Sequence, residues 1–306
     1  MTRSEIIGFV GIGTMGTPMV GNLARAGYQL MVFDLDASRT TAIAQVHSTI
    51  VVANSLAELG AAVNIIITML PDGKEVHAAL CGKNNAFRNC LLERASNNTL
   101  VIDMSSSSPL GTRDLGQLLA ERGILLIDAP VSGGVKGAQT ASLAIMVGSD
   151  KTNFDRVKPL LATMGSSVFN AGPLGAGHAI KALNNYVSAA GLVAICEALN
   201  AAEHFGIDPA VATDIINAST GMNNTSRNKV RQHMLSGTLG AGFATNLMAK
   251  DIRTALEIIE ASAIPAELAR QSAAFWNAAE IALPDGTDHT AVYRLIAQAK
   301  SNSSQD

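Results

Sequence analysis

This sequence has few aromatic residues and no large excess of charge of one sign. Phe, Trp and Tyr together make up 4% of the chain, while apolar residues as a whole make up 48%. The core must therefore consist of Ala, Leu, Ile, Val and Met, as in an ordinary globular protein. The 22 Lys and Arg residues nearly balance the 25 Asp and Glu residues, with no long run of like charge. This balance argues against a nucleic-acid-binding surface and against an electrostatic membrane anchor.

Cysteine is also rare, and its spacing excludes two kinds of site. The three cysteines are Cys81, Cys90 and Cys196, an odd number that includes no Cys-x-x-Cys pair. The sequence therefore predicts neither a disulfide framework nor a thiolate zinc site, and we expect no bound metal. A reducing, cytoplasmic compartment fits this cysteine usage best.

Long apolar runs are missing as well. The most apolar stretch, residues 189–196, falls far short of the roughly 18 residues that predict a membrane span. The N-terminus enters a strand-like run at residues 6–10 without the basic segment and apolar core of a secretory signal. We therefore expect no membrane association and no export.

The first half of the chain alternates short β-branched apolar runs with helix-like segments. The runs cover residues 6–10, 30–33, 64–68, 100–103, 125–128 and 143–147. This alternation predicts a doubly wound α/β fold with a mostly parallel sheet covered on both faces. A Gly- and Ser-rich stretch at 164–177 is followed by helical patterns only. We therefore predict an α/β domain over residues 1–165 and an all-helical domain over residues 166–306.

A glycine-rich loop follows the first predicted strand. The segment Gly11-Ile12-Gly13-Thr14-Met15-Gly16 fits G-x-G-x-x-G between a strand and a helix. Glycines permit a tight turn and close backbone approach, and the helix N-terminus directs N–H groups at a pyrophosphate. Alone the motif is weak, and a plain tight turn is the alternative. The next predicted strand, however, leads to an acid at the offset that binds the adenine ribose hydroxyls.

That acid, Asp34, also bears on the choice of cofactor. A carboxylate at this position repels a 2′-phosphate, so the sequence favours NAD over NADP. Arg39 lies nearby in the sequence and can soften this preference. A structural carboxylate, at a strand end or a helix cap, is the alternative role for Asp34.

Candidate ligand-binding loops follow three more of the predicted strands. Leu70 and Pro71 form one, and a run of serines at residues 105–108 forms another. Ligands of open parallel sheets bind outside the carboxyl ends of the strands, so both loops can touch the cofactor. For Ser107 and Ser108, capping of the helix that follows is an equally good interpretation.

The third of these loops is suited to a small anion. Ser132, Gly133 and Gly134 follow the strand that ends at Asp128. A Ser-Gly-Gly run can present a hydroxyl and consecutive backbone N–H groups to a carboxylate. A plain loop is the alternative.

A long helix is predicted over residues 181–205, and its start carries a lysine and an asparagine. Lys181 and Asn185 are four residues apart and therefore share one face of the helix. A lysine beside apolar helical surface is costly unless it is paired or functional, and burial makes such a lysine a usable acid or base. His178 lies on the same face one turn earlier, where a structural or surface role is the usual one. Lys250, on a later helix, is most simply a snorkelling lysine.

Together these segments resemble the β-hydroxyacid dehydrogenase family over nearly the whole chain. The resemblance rests on Gly11-x-Gly13-x-Met15-Gly16, Asp128-Ala-Pro-Val-Ser-Gly-Gly134, Gly175-x-Gly177-x-x-x-Lys181-x-x-x-Asn185 and Lys250-Asp251, in that order. It implies an N-terminal Rossmann domain, an all-helical C-terminal domain and an active site in the cleft between them. It also implies an NAD-dependent enzyme that interconverts a small 3-hydroxy acid and its semialdehyde, as 3-hydroxyisobutyrate dehydrogenase does.

The resemblance assigns a role to each of the residues singled out above. Lys181 matches the catalytic lysine and Asn185 the asparagine that orients the substrate. The substrate carboxylate is expected at Ser132, Gly133 and Gly134. The residues expected to line the nicotinamide cofactor are Leu70, Pro71, Ser106 and Lys250. Ser106 stands where many members have threonine, and it keeps the hydroxyl.

Other activities are compatible with the same motifs. Reduction of tartronate semialdehyde or of sulfolactaldehyde is the alternative within the family. An imine reductase shares the architecture, but such relatives usually carry another residue at the position of Lys181. A non-catalytic NAD-binding sensor would need no lysine and asparagine pair.

The long helix also predicts an assembly. Residues 187–202 are apolar or small on nearly all sides, so this segment must be enclosed. Its small residues, among them Ala189 and Ala194, allow another helix to approach closely. We therefore expect a homodimer or homotetramer joined through the helical domain, with a buried interface beyond about 2,000 Å². Enclosure by the domain's own shorter helices is the alternative.

Overall fold

The computed structural model describes residues 5–302, and the chain divides into two compact units. The first unit is Met1–Lys181 and the second is Ala182–Asp306. The predicted domain boundary at residue 165 falls before the last strand of the first unit. That unit continues through this strand and into the first turns of the long helix.

The first unit is an α/β unit. Its strands, in the described part of the chain, are β1 (Ile6–Val10), β2 (Gln29–Phe33), β3 (Ile50–Val52), β4 (Ile65–Thr68), β5 (Leu100–Asp103), β6 (Leu125–Asp128), β7 (Val131–Ser132), β8 (Ala144–Gly148) and β9 (Ser167–Gly172). Its helices are α1 (Gly16–Arg25), α2 (Ala37–Val46), α3 (Leu56–Ala62), α4 (Gly73–Cys81), α5 (Pro109–Ala120), α6 (Gly134–Gln139) and α7 (Lys151–Leu161), with a short 3-10 helix at Lys83–Asn85.

The strands form one sheet in the order β3-β2-β1-β4-β5-β6-β8-β7, and β9 pairs with β8. The strands from β3 to β6 are parallel, whereas β8 runs antiparallel to both β6 and β7. The strand order reverses between β1 and β4, which is the place where doubly wound sheets bind ligands. The predicted doubly wound, mostly parallel fold is confirmed.

The sheet separates two apolar cores, because successive side chains of a strand point to opposite faces. In β4, Ile65 and Ile67 pack with Leu23 of α1 in one core. Ile66 packs with Leu59 of α3 in the other core. Helices cover both faces, as the continuous apolar runs of the strands predicted.

Two strands that the sequence did not predict are β3, at one end of the strand order, and β9, which pairs with β8. β3 has only three residues, of which Val51 and Val52 are exposed. β9 falls within the Gly- and Ser-rich stretch and is half-buried or exposed along its whole length. Neither strand buries enough apolar surface to leave a pattern in the sequence.

The second unit consists of helices joined by loops, with no strand among its described residues. The helices are α8 (Ala176–His204), which begins in the first unit, α9 (Pro209–Asn217), α10 (Asn224–Asn228), α11 (Thr245–Ala261), α12 (Glu267–Ala282) and α13 (Val292–Asn302). A π-helix covers Val230–Leu235, and a 3-10 helix covers His289–Ala291. Trp276 of α12 is fully buried in the core of this unit.

The long helix α8 is only partly enclosed. Leu192, Cys196 and Leu199 face the core of the second unit, whereas Val187 and Ala194 are exposed. Within the described residues, α8 is the one helix long and apolar enough to cross a membrane by length and composition alone. Core helices of globular proteins meet the same criterion, and one face of α8 packs as such a helix.

Candidate active site

Two glycines of the glycine-rich loop are required by the packing of the backbone itself. Gly11 has a φ of +99°, and a Cβ atom there would lie 2.3 Å from the Met69 carbonyl oxygen. A Cβ atom on Gly16, the first residue of α1, would lie 1.8 Å from the Gly11 carbonyl oxygen. Neither position can hold a side chain, because the opposing atoms belong to the backbone. The loop is therefore drawn tightly against the end of β4.

The third glycine, Gly13, has no such neighbour. A Cβ atom there would meet only the Arg39 Nη1 atom, at 3.6 Å. No side chain of the described residues caps α1, whose N-cap residue is Met15. The loop thus leaves open space above Gly13, next to an uncapped helix N-terminus, as the pyrophosphate of a dinucleotide requires. These residues fit the predicted NAD site.

Asp34 holds the backbone of this loop. Its Oδ2 atom accepts a hydrogen bond from the Ile12 amide at 2.6 Å, and its Oδ1 atom accepts one from the Asp36 amide at 2.9 Å. An ionised carboxylate has about four acceptor positions, so two such bonds leave capacity for ribose hydroxyls. Arg39 forms an ion pair with Asp36 at 3.1 Å and lies beside Gly13, close to the loop as its position in the sequence indicated.

The loops after β4 and β5 are linked by hydrogen bonds. The Leu70 amide donates to the Ser105 Oγ atom at 2.9 Å. Asp103, the last residue of β5, accepts hydrogen bonds from the Thr68 hydroxyl, the Ser105 amide and the Ser107 hydroxyl at 2.9–3.0 Å. This one buried carboxylate therefore binds the end of β4 and two residues of the loop after β5. The two loops predicted to touch the cofactor therefore form one connected edge.

The structure does not support helix capping, the alternative role that the sequence left open for Ser107 and Ser108. Neither Ser107 nor Ser108 caps α5 through its side chain. Ser108 is the N-cap residue by position only, because its side chain makes no capping hydrogen bond, and Pro109 stands at the first helical position, where proline is favoured. Ser106, between Ser105 and Ser107 in the chain, is half-buried.

Asp128, at the end of β6, holds the start of α8. Its Oδ1 atom accepts a hydrogen bond from the Gly175 amide and its Oδ2 atom one from the His178 amide, both at 2.7 Å. Burial raises the pKa of this carboxyl, while His178 and the two amides act in the opposite direction. A Cβ atom on Gly177 would lie 2.2 Å from the Met146 carbonyl oxygen, so glycine lets α8 begin directly against β8.

Lys181 and Asn185 follow this anchored start on the same helix. Lys181 is half-buried. Asn185 is 8% exposed, and its Nδ2 atom donates to the Asp251 Oδ2 atom at 2.5 Å. The structure thus brings Asn185 together with the Lys250-Asp251 motif of α11, within the second unit. The pairing role of Asp251 was not predicted, because the sequence showed it only as the neighbour of Lys250.

The Ser132 to Gly134 loop turns sharply between β7 and α6. Gly133 has a φ of +130° and Gly134 a φ of +60°, and both are exposed. Ser132 is half-buried at the end of β7. Consecutive glycines in this region of φ let the loop turn its backbone N–H groups outward, which an anion can use.

Metal and thiol chemistry have no support in the described residues. Across residues 5–302, no three His, Cys, Asp or Glu side chains are grouped so as to hold a metal ion. Burial raises the pKa of the Cys81 and Cys196 thiols to about 12 each. Thiols that stay protonated are poor nucleophiles.

Comparisons with known proteins identify the class to which this chain belongs. Residues 6–172 match the family model described as the NAD binding domain of 6-phosphogluconate dehydrogenase. Residues 175–296 match the model described as the NAD-binding domain of NADP-dependent 3-hydroxyisobutyrate dehydrogenase. The fold, the glycine-rich loop and these matches define an NAD-binding dehydrogenase.

Individual relatives narrow the class to a family. The 2-(hydroxymethyl)glutarate dehydrogenase of Eubacterium barkeri is 34% identical, over 87% of this chain and 86% of its own. The 3-hydroxyisobutyrate dehydrogenase of Pseudomonas aeruginosa is 33% identical, over 94% and 97%. The structure of Mycobacterium tuberculosis 3-hydroxyisobutyrate dehydrogenase with L-serine has a TM-score of 0.85 at 33% identity, over 95% and 99%. This chain belongs to the β-hydroxyacid dehydrogenase family, as its motifs predicted.

Proposed function

We propose that this protein oxidises a small 3-hydroxy acid to its semialdehyde, or performs the reverse reduction, with 3-hydroxyisobutyrate as the first candidate substrate. The observation that carries the proposal is the placement of a lysine and a hydrogen-bonded asparagine near the start of α8. Lys181 and Asn185 share one face of that helix, and Asp251 fixes the amide of Asn185. A positioned amine and a positioned amide are what a reaction at a hydroxyl group needs.

Each residue then has a chemical task. Lys181 takes the hydroxyl proton of the alcohol, or returns a proton to the aldehyde oxygen in the reverse direction. The Asn185 amide holds the substrate hydroxyl, and the Ser132 to Gly134 loop holds its carboxylate. NAD supplies the hydride acceptor when bound. Fixing the carboxylate and the hydroxyl together presents one face of the reacting carbon, which lowers the entropic barrier.

The names of the relatives support a substrate with two defined groups. 3-Hydroxyisobutyrate and 2-(hydroxymethyl)glutarate, named for two relatives, both carry a hydroxymethyl group next to the carbon that bears a carboxylate. L-Serine, named with the Mycobacterium structure, has the same arrangement. We therefore infer a 3-hydroxy acid for this chain. Tartronate semialdehyde and sulfolactaldehyde are the alternatives that keep an acidic group near a reducible aldehyde.

A substrate panel tests the proposal. The purified protein is incubated with NAD and each of 3-hydroxyisobutyrate, 2-(hydroxymethyl)glutarate, L-serine and glycerate, and the absorbance of reduced cofactor is followed. The reverse assay supplies NADH with the matching semialdehydes, sulfolactaldehyde and a cyclic imine. Turnover of a 3-hydroxy acid supports the proposal, whereas turnover of the imine alone would identify an imine reductase. Binding of NAD without any turnover would identify a sensor.

Cofactor choice gives a prediction at Asp34. The wild-type protein should use NAD with a higher kcat/KM than NADP, because the carboxylate repels the 2′-phosphate. Asp34→Ser should narrow this gap, since serine removes the charge and keeps one hydrogen-bonding group. Ratios of kcat/KM for the two cofactors measure the effect, with Asp72→Ser as a control for loss of a carboxylate elsewhere. Equal use of both cofactors by the wild type would contradict the assignment of Asp34.

We further propose that the protein is a homodimer or homotetramer joined through α8. Five residues at intervals of seven, four, three and four, the spacing of one helix face, are apolar or small and exposed: Val187, Ala194, Ala198, Ala201 and Phe205. Val187 is 68% exposed and Phe205 is 84% exposed. Small residues between two larger ones allow a second helix to pack closely. Ala189, predicted to lie on this face, is instead buried in the core of its own unit.

Light scattering tests the assembly. Wild-type protein at micromolar concentration should have two or four times the mass of the chain. Val187→Arg should reduce that mass, because it places a charge in an apolar contact. Val46→Arg, a matched change at another exposed helical valine, should not. A wild-type mass equal to one chain would exclude the assembly.

We also propose that the protein works in the cytoplasm. The supporting observation is that Cys81, Cys90 and Cys196 are buried and unbridged, as expected in a reducing compartment. Fractionation of the native cell with an antibody to the protein tests this location.

A further inference from the structure

His178 is completely buried in the first unit, three residues before Lys181. Its side chain has no exposed surface. The ring Nδ1 atom lies 2.9 Å from the Thr112 Oγ1 atom, and the Nε2 atom lies 3.1 Å from the Ser105 carbonyl oxygen. The carbonyl can only accept, so Nε2 carries a proton. Both nitrogen atoms of the ring are therefore used in hydrogen bonds.

These two partners belong to different elements. Thr112 lies in α5, whereas Ser105 lies in the loop between β5 and α5. The Ser105 hydroxyl in turn accepts the hydrogen bond from the Leu70 amide. Through one residue the ring therefore reaches both loops that are predicted to line the cofactor. The neighbour of Ser105 in the chain is Ser106, one of the predicted cofactor residues.

The main chain of His178 makes a third connection. Its amide donates to Asp128 at the end of β6. The carboxylates of Asp103 and Asp128 each have an oxygen atom 3.7 Å from a ring nitrogen, Nε2 for Asp103 and Nδ1 for Asp128. These distances exceed hydrogen-bonding range, so the two carboxylates are neighbours of the ring and not its hydrogen-bond partners. One residue thus joins the ends of β5 and β6 to the first turn of α8.

A buried ring of this kind is expensive to replace. An apolar side chain at residue 178 would leave the Ser105 carbonyl without its donor inside the protein. A buried polar group that loses its partner is destabilising, and the local structure shifts to recover a hydrogen bond. The segments expected to shift are the Ser105 loop and the start of α8, because the ring bonds to the first and His178 itself belongs to the second.

We propose that His178 is a positioning residue: its ring fixes the loop of Ser105 and Ser106 against the first turn of α8, and so fixes where Lys181 presents its amine. This role rests on the proposed dehydrogenase function of Lys181. His178 itself touches neither substrate nor cofactor in this role. It acts through the two segments that do.

Three variants test the role. His178→Leu should lower kcat by up to about 100-fold, the loss expected when a reacting group is misplaced by about 1 Å. The dissociation constant for NAD should rise by less than kcat falls, because the loosened Ser106 loop is only one part of the cofactor site and the glycine-rich loop makes no hydrogen bond with the ring. His178→Gln should restore most of the rate, since its amide can donate to the Ser105 carbonyl. Thr112→Val should lower kcat in the same direction, and its effect should shrink in the His178→Leu background.

Hydrogen exchange followed by mass spectrometry provides a readout that needs no turnover. In His178→Leu, exchange should rise together in residues 104–108 and in residues 175–181, and stay unchanged in β1 and α1. Wild-type kcat in both His178→Leu and Thr112→Val, or faster exchange in the helix alone, would overturn the proposal. If His178→Leu fails to fold, Thr112→Val alone decides. Wild-type protein that oxidises no 3-hydroxy acid would refute the proposed function, and the exchange data would still show whether His178 joins the two segments.

Discussion

Replacing Lys181 with Ala should lower turnover by roughly 10²–10⁴-fold, the usual contribution of a general acid or base, and leave NAD binding intact. The lysine lies in the second turn of α8, beyond the Asp128 anchor and one turn before Asn185. The glycine-rich loop that is proposed to bind the cofactor connects β1 to α1. Loss of the amine should therefore slow the proton transfer and leave the affinity for the cofactor unchanged.

A second variant separates proton transfer from charge. Lys181→Arg keeps the positive charge, but arginine does not release its proton at any ordinary pH. It should therefore be nearly as inactive as Lys181→Ala when alcohol oxidation is measured. The control is Lys151→Ala, which removes an exposed lysine that pairs only with Asp155 on the surface. Steady-state rates with saturating NAD measure the effect, and activity of Lys181→Ala within a few-fold of wild type would remove this residue from the mechanism.

The fold was predictable where burial leaves a pattern in the sequence. Each of the six predicted strand runs coincides with an observed strand to within one residue at either end. These strands are covered on both faces, so nearly every residue in them is apolar. β9 had no such pattern, because it pairs with β8 on one side and holds exposed residues such as Phe169 and Asn170. Its place in the sheet depends on a long-range pairing that the local sequence does not encode.

The candidate site was predictable as motifs but not as a network. The glycine-rich loop, Asp34, Lys181 and Asn185 follow spacings that local rules describe. The bonds of His178 to Ser105 and Thr112 join residues 73 and 66 positions apart. Asn185 and Asp251 are likewise 66 positions apart. A lone histidine on a helix therefore looked like a surface or structural residue, and only the folded chain shows what it connects.

Gly13 and Gly16 offer a matched pair of substitutions with opposite consequences. Gly16→Ala places a methyl group 1.8 Å from the Gly11 carbonyl oxygen, so the loop or α1 must move. Overpacking of this kind costs about 1–3 kcal/mol or more. We therefore expect a lower Tm in the absence of cofactor. Gly13→Ala meets only the end of the flexible Arg39 side chain, at 3.6 Å, and should keep the Tm of the wild type.

Gly13→Ala should weaken cofactor binding although it leaves the stability of the fold unchanged. The methyl group of Gly13→Ala occupies the open space beside the uncapped start of α1, where a pyrophosphate must approach the backbone. Its affinity for NAD should fall by at least about tenfold, which corresponds to about 1.4 kcal/mol. Calorimetric titration with NAD measures this loss, and thermal unfolding shows that the apo fold is intact. NAD binding by Gly13→Ala as tight as that of wild type would mean that the space above Gly13 is not where the pyrophosphate lies, and the assignment of the glycine-rich loop would have to be abandoned.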